Sequence, residues 1–321
     1  MKFLRTVMLL TFSITFSIAW NPEAVAAAPI AIKKDIVLTN NVVNSDKKLL
    51  DATVNLYCRI KVGNKEISST GSGVLIDSRG IILTNAHVAQ YFLLNGKDSK
   101  LTADCKVRTG SPAQTNYKAE VLYISKNWLM EKTGKSAEES AKSTGENDFA
   151  LLYITEAEKG QLPAQFPTLI LGTIAQMKEG DTVTVAGYPA GDLNFREVRN
   201  NLKVQSASTT ISAMKAFQFK AADLISLSPT KLASFGVSGG PVVSSSTVIG
   251  LATTMSTSKK KTGATLRAIT VPYIDRIIRS EAGVSLVSLY NTDLAVRTAT
   301  TRAGLTTKML SAIEKPLRVT R

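Results

Sequence analysis

The sequence predicts an all-β fold, and three observations carry that reading. Short β-like runs follow one another closely from about residue 50 to 275. Turn residues punctuate them, as in Asp77-Ser78-Arg79-Gly80 and Tyr188-Pro189-Ala190-Gly191. Helical periodicity is confined to three places, so barrels or sandwiches are favoured over alternating βαβ units. The 321 residues, 44% hydrophobic and 20% charged, suffice for one large or two small globular units with a real core. No polar low-complexity tract dominates, which argues against a disordered chain.

Taken in order, the chain opens with Met1-Lys2-Phe3-Leu4-Arg5, an apolar stretch from Thr6 to Trp20, and the small-residue tract Ala24-Val25-Ala26-Ala27-Ala28. A basic start, an apolar middle and an A-x-A site predict a secretory signal peptide over 1–26, cut after Ala26 or Ala27. An uncleaved anchor is the alternative, though a spanning helix needs about 20 apolar residues. The mature protein is then expected to be secreted or periplasmic, with no stable membrane insertion. Residues 27–49 form an N-terminal segment before a domain expected over 50–283.

The first strand-like run is Val54–Val62, where polar and apolar residues alternate around Cys58. Leu101 to Val107 is a second such run and holds Cys105. An even pair of cysteines in an exported chain predicts a disulfide, provided the two strands lie close enough. Further strands are expected at Gly73–Asp77, Gly80–Thr84, Tyr117–Ile124, Phe149–Ile154, Thr182–Gly187, Leu202–Ile211, Val242–Ile249 and Ala264–Val271. The helical places are 125–146, where Ser136 and Glu139 form a capping box, Val271 to Ala282, and Leu305 to Lys315. Residues 284–321 are too few for another domain; this tail either docks or is partly mobile, and the second reading is preferred.

Charge and rare residues narrow the function classes. A net charge of +14 is compatible with an anionic partner such as an envelope polymer, and equally with Lys and Arg scattered over an exported protein. No dense basic helix or aromatic-interleaved motif is present, so nucleic acid is not an expected partner. One histidine and two cysteines leave too few ligands for most zinc, haem or iron–sulfur sites, and no metal or cofactor is expected.

Ser238 lies in Phe235-Gly236-Val237-Ser238-Gly239-Gly240-Pro241, a glycine-rich turn that projects a hydroxyl and gathers backbone N–H groups. Such N–H groups are what an oxyanion needs during acyl transfer. The string also fits the G-x-S-x-G elbow of α/β-hydrolases, whose order is Ser, acid, His. No histidine follows Ser238, so that reading fails on residue order. The only histidine, His87, comes upstream in Thr84-Asn85-Ala86-His87-Val88, just past the apolar run Ile81–Leu83. A serine hydroxyl needs a base, and the base needs a carboxylate to fix its tautomer. Between the two lies Asn147-Asp148-Phe149-Ala150-Leu151-Leu152, where Asp148 opens the clearest buried-strand run.

These three strings, in the order His, Asp, Ser, resemble the motifs of trypsin-like serine proteases of the bacterial HtrA (Deg)-like type. Gly71-Ser72-Gly73-Val74-Leu75-Ile76-Asp77 and Val185-Ala186-Gly187-Tyr188-Pro189 resemble scaffold segments of the same type, and the similarity spans about residues 52–282. It implies two six-stranded antiparallel β-barrels of chymotrypsin-like fold, one over about 50–155 and the other over about 165–272, followed by a helix at 271–282 and a short tail. It also implies a polypeptide substrate, His87 as general base, Asp148 as its orienter and Ser238 as nucleophile. The amides of Gly236 and Ser238 would form the oxyanion hole. The family pattern puts the base of the substrate pocket at Leu232 and its walls at Leu251, Thr253 and Met255, which predicts a small or medium apolar P1 residue.

Three departures matter. Val237 stands where zymogen-type trypsins carry an aspartate, so activation by a new N-terminal ammonium is not expected. The 38-residue tail is too short for the PDZ domain that such proteins commonly carry. The stretch 125–146 is longer than the usual connection and would rim the cleft. A catalytically silent barrel acting as an extracellular binding module is the competing reading.

Overall fold

Alternation of buried and open positions builds the first sheet. In β4 (Leu101–Thr109) the side chains of Leu101, Ala103, Cys105 and Val107 turn inward, with more open residues between most of them. The computed structural model describes residues 46–94, 101–132, 145–174, 176–217, 221–256 and 265–319. After a short helix, α1 (46–52), come β1 (Thr53–Val62), β2 (Lys65–Asp77), β3 (Ile81–Thr84), β4, β5 (Gln114–Ile124) and β6 (Ala150–Ala157). They close into an antiparallel barrel in the order β1-β2-β3-β6-β5-β4. Val54, Leu56, Ile60, Ile82 and Leu152 fill its interior.

The second barrel uses β8 (Thr182–Gly187), β9 (Gln205–Lys215), β10 (Leu224–Leu227), β11 (Pro241–Ser244), β12 (Thr247–Ser256) and β13 (Thr265–Thr270). The order is β11-β8-β9-β10-β13-β12, and pairing of β11 with β12 closes the ring. A two-residue strand, β7 (Ile170–Leu171), is added in parallel beside β12. Val183, Val185, Ile225, Val242 and Ile249 fill this interior. The fold is therefore two closed six-stranded antiparallel barrels, as expected.

Cys58 and Cys105 face each other in the register of β1 and β4 and are joined by a disulfide, with Cα atoms 4.0 Å apart. The run Val242–Ile249, expected as one strand, is a hairpin instead. Ser245 and Ser246 both take positive φ, 47° and 67°, and turn β11 directly into β12. Two-residue hairpin turns need that handedness at both central residues, and no glycine marks it here.

The helices hold the loops that carry polar side chains. β3 leads into α2 (Ala86–Ala89) and a 3-10 turn (Gln90–Leu94), and β5 into α3 (Lys126–Glu131), capped by Ser125. The capping pair expected at Ser136 and Glu139 lies outside the described residues. α4 (Phe195–Asn200) sits between β8 and β9 and starts with a capping box of Asn194 and Glu197. α5 (Val271–Ala282) starts at the Thr270 cap and ends at Gly283 in the left-handed region. Its Tyr273, Ile274 and Ile278 join outward-facing residues of both barrels, among them Leu83, Leu151, Ala186 and Ile269, in one apolar cluster.

The tail differs from the partly mobile segment expected. It folds into α6 (Leu286–Tyr290), α7 (Leu294–Ala303) and α8 (Thr307–Val319) and docks. Leu286, Leu289 and Leu294 enter the cluster of α5, and Met309, Ile313 and Leu317 enter that of the first barrel beside Phe92 and Trp128. No helix among the described residues is long and apolar enough to cross a membrane. Replacing Ile313 by Ala should lower the unfolding free energy by about 2–4 kcal/mol. A denaturant titration showing a loss below about 0.5 kcal/mol, the size typical of surface changes, would mean that the tail is not docked.

Candidate active site

Asp148 reaches its place through a strained-looking but well-held turn. Asn147 takes φ 59°, a region that Asn tolerates better than most residues. The Tyr273 hydroxyl donates to Asn147 Oδ1 at 3.1 Å and accepts from Asn147 N at 3.3 Å, while Asn147 Nδ2 donates to Glu131 Oε1 at 2.8 Å. The carboxylate then meets three donors: the amide of His87 at 2.9 Å, His87 Nδ1 at 2.7 Å and the Thr253 hydroxyl at 2.8 Å. Asn85 Nδ2 donates to the Asp148 backbone carbonyl at 2.8 Å and ties the two loops together.

Burial favours the protonated acid, since Asp148 is only 4% exposed. The neighbouring His87 charge and the hydrogen bonds from His87 and Thr253 outweigh it and hold the carboxyl below its ordinary value of 3.8. An ionised carboxylate only accepts, so Nδ1 of His87 is the donor in this contact, and in the neutral ring that leaves the lone pair on Nε2. The imidazole is partly open to solvent, with 36% of its side chain exposed.

The turn around Ser238 is shaped by glycines that nothing else could replace. Gly236 has φ 90°, and a Cβ there would come within 2.4 Å of the Tyr188 carbonyl oxygen. Gly239 has φ 86°, and its Cβ would lie 2.1 Å from the Ser72 carbonyl oxygen. Among the described residues, neither the Gly236 nor the Ser238 amide has an acceptor, whereas Gly239 N donates to Ala252 O and Gly240 N to Val237 O. The Ser238 hydroxyl donates to the Thr253 carbonyl at 3.4 Å, a long bond.

Thr253 therefore joins the parts: its hydroxyl meets Asp148 and its carbonyl meets Ser238. The structure thus links Asp148 and Ser238 through one residue, with His87 bound to Asp148. Of the residues expected to form a pocket, Leu232 lies in the core of the second barrel and Leu251 in the cluster below α5, on different sides of the sheet. Thr253 is buried with its hydroxyl on Asp148, and Met255 lies on β12 opposite Leu266.

Ser72, which sequence reasoning treated only as scaffold, stitches the turn to the first barrel. Its amide donates to Ser238 O at 2.7 Å, and its hydroxyl donates to Gly236 O at 2.7 Å and accepts from Tyr188 N at 2.9 Å. The one hint in the sequence was its place between two glycines. Among the described residues, no group of three His, Cys, Asp or Glu side chains is placed to hold a metal ion.

The depressed Asp148 carboxyl has a consequence for stability. The unfolded chain takes up that proton first as the pH falls, so the contribution is present above about pH 4 and is lost below it. Thermal midpoints measured from pH 7 to pH 3 should fall more steeply for the wild type than for Asp148→Asn. Parallel curves would show that the carboxylate is not held as described.

Residues 71–251, more than half of the chain, match the trypsin-like peptidase domain family. Zebrafish (Danio rerio) serine protease HTRA1B is 27% identical over 210 residues, 64% of this chain and 35% of that protein. Mouse (Mus musculus) serine protease HTRA4 is 26% identical over 202 residues, 62% of this chain and 33% of that protein. The chain spans about a third of the length of these relatives. A solved structure of an HtrA-type protease, AlgW with a decapeptide, aligns with a TM-score of 0.47 at 19% identity, over 76% of this chain and 68% of that one. With motifs in order, two closed barrels and a family match over most of both, the chain belongs to the trypsin-like peptidase domain family.

Proposed function

We propose that this chain is an exported serine endopeptidase that cleaves polypeptides through an acyl-enzyme. The observation that carries the proposal is the convergence of the His87–Asp148 pair and Ser238 on Thr253. In the first step Ser238 Oγ turns from the Thr253 carbonyl and attacks the scissile carbonyl carbon, while its proton passes to His87 Nε2. The charge that forms on the carbonyl oxygen meets the free amides of Gly236 and Ser238. The amine leaves with the proton from His87, and an ester to Ser238 remains. Water, deprotonated by His87 Nε2, then attacks that ester, and Ser238 regains its proton from the imidazolium. Asp148 keeps its charge throughout; it holds the ring and stabilises the imidazolium.

Export is supported by the pattern of residues 1–28, which lie outside the described residues, and by the Cys58–Cys105 bridge, which an oxidising compartment favours. In such a compartment the positive chain would also meet anionic envelope polymers.

A fluorophosphonate probe tests the triad directly. The purified protein should be labelled, and Ser238→Ala and His87→Ala should each remove the label; removing a triad member costs on the order of 10⁴-fold or more in kcat. Absence of labelling in folded wild type would favour the silent binding module. Specificity is a separate matter. Leu232 supplies no carboxylate for a basic side chain, so peptides with a small or medium apolar P1 residue should be cleaved best. Preferential cleavage after Arg or Lys would sink that reading.

A further inference from the structure

Arg108 is 2% exposed, and among the described residues no carboxylate pairs with it. Its guanidinium donates instead to three neutral oxygens: Asn55 Oδ1 at 2.8 Å, Arg199 O at 2.9 Å and Val198 O at 3.1 Å. It also lies 4.4 Å from the centre of the Tyr57 ring. Burial pushes its pKa down to about 10, so it still carries its charge at neutral pH. An apolar side chain would fill this place without the cost of desolvating a cation. What a guanidinium adds is direction, because several N–H donors are fixed in one plane.

The acceptors lie on two routes that end at the same turn. Asn55 belongs to the first barrel, and its Nδ2 donates to Gly71 O at 2.8 Å and Thr70 Oγ1 at 2.9 Å. Ser72 follows immediately and bonds Gly236 O and Ser238 O. Val198 and Arg199 belong to α4, in the connection between β8 and β9 of the second barrel. In that connection Ala190 N donates to Phe235 O at 2.7 Å and Gly191 N to Ser234 Oγ at 3.0 Å. Both routes converge on residues 234–238. Tyr57, Ala113, Tyr188, Ala190, Val198 and Leu202 form one apolar cluster that joins the two barrels, and the guanidinium lies against its Tyr57 ring.

We propose that Arg108 is a positioning residue that fixes the α4 connection and the Ser72 strand to each other, and so aims the Gly236 and Ser238 amides at the carbonyl oxygen of the substrate. The inference rests on the proposed peptidase reading. Lysine at this place would keep the charge and lose the planar set of donors. Displaced amides bind a developing oxyanion less well while substrate binding changes little, so the loss falls on kcat.

The test uses the full mature chain with a peptide that the wild type hydrolyses. In Arg108→Lys, kcat should fall on the order of 10²-fold with KM within about threefold, as for a small misplacement of catalytic groups. Near-UV circular dichroism should match the wild type at the assay temperature. Ser72→Ala should lower kcat as well, and the double variant should lose less than the product of the two single losses, since both act on one turn. Should Arg108→Lys not fold, Asn55→Asp keeps an acceptor for Arg108, deletes the donors to Gly71 and Thr70, and should show the same fall in kcat. A kcat within about threefold of wild type in these folded variants, a loss confined to KM, or losses that multiply would overturn the positioning role and leave the triad standing. A wild type that neither hydrolyses peptides nor takes the probe would overturn the peptidase reading and this inference together.

Discussion

A carboxylate with almost no access to water has to be held by donors, and the donors of Asp148 come from both barrels. His87 and its amide belong to α2, which follows β3, and Thr253 belongs to β12. Removing either side would leave a buried charge under-compensated, which costs more than an ordinary hydrogen bond. The relative placement of the two barrels is therefore not free to drift by an ångström. Asn147 extends the same constraint to α5, whose Tyr273 holds the turn before Asp148 on the side away from the imidazole.

The barrels obey that constraint through a seam in which backbone groups do most of the joining. Ser72 offers an amide and a hydroxyl to the Ser238 turn, and within the first barrel Thr84 Oγ1 donates to Ser72 O at 2.7 Å. The glycines at 236 and 239 exist because the opposing strand leaves no room for a side chain, with carbonyl oxygens of Tyr188 and Ser72 almost in contact. Close approach and positive φ are thus one requirement seen twice. The turn is tied to the first barrel through the carbonyls of Gly236 and Ser238, while among the described residues their amides have no acceptor.

Parts of this were legible in the sequence, and the division follows chemistry. His87, Asp148 and Ser238 each sit in a short contiguous string, and a single imidazole upstream of the serine decides the order. Strand periodicity gave both barrels their pieces. Ser72, Asn85 and Arg108 are different, because the partners that tie them to the site lie 53 to 166 positions away and no local pattern encodes such a distance. Thr253 was noticed only as a pocket wall, since a small residue on a strand reads the same whether its hydroxyl meets a carboxylate or a substrate. The docking of the tail was not legible, because an apolar stripe on a helix does not say what covers it, and anchors such as Leu289 and Ile313 meet clusters built from residues far away in sequence. The Ser245-Ser246 hairpin lacks the glycine that announces most such turns.

Two buried charges of opposite sign show how the same problem is solved for two ends. Asp148 is compensated by donors from both barrels, among them an imidazole open to solvent on one side. Arg108 is compensated by carbonyl and amide oxygens that never change charge, in a closed apolar setting. A cation held by fixed dipoles would not respond to the proton that the proposed mechanism moves at Ser238, 130 residues further on in sequence. That independence suits a strut: in the proposed mechanism the imidazole and hydroxyl exchange a proton while the turn beneath them keeps its geometry. The proposed peptidase would thus separate the groups that react from the groups that hold, with one buried ionised side chain, Asp148 or Arg108, serving each.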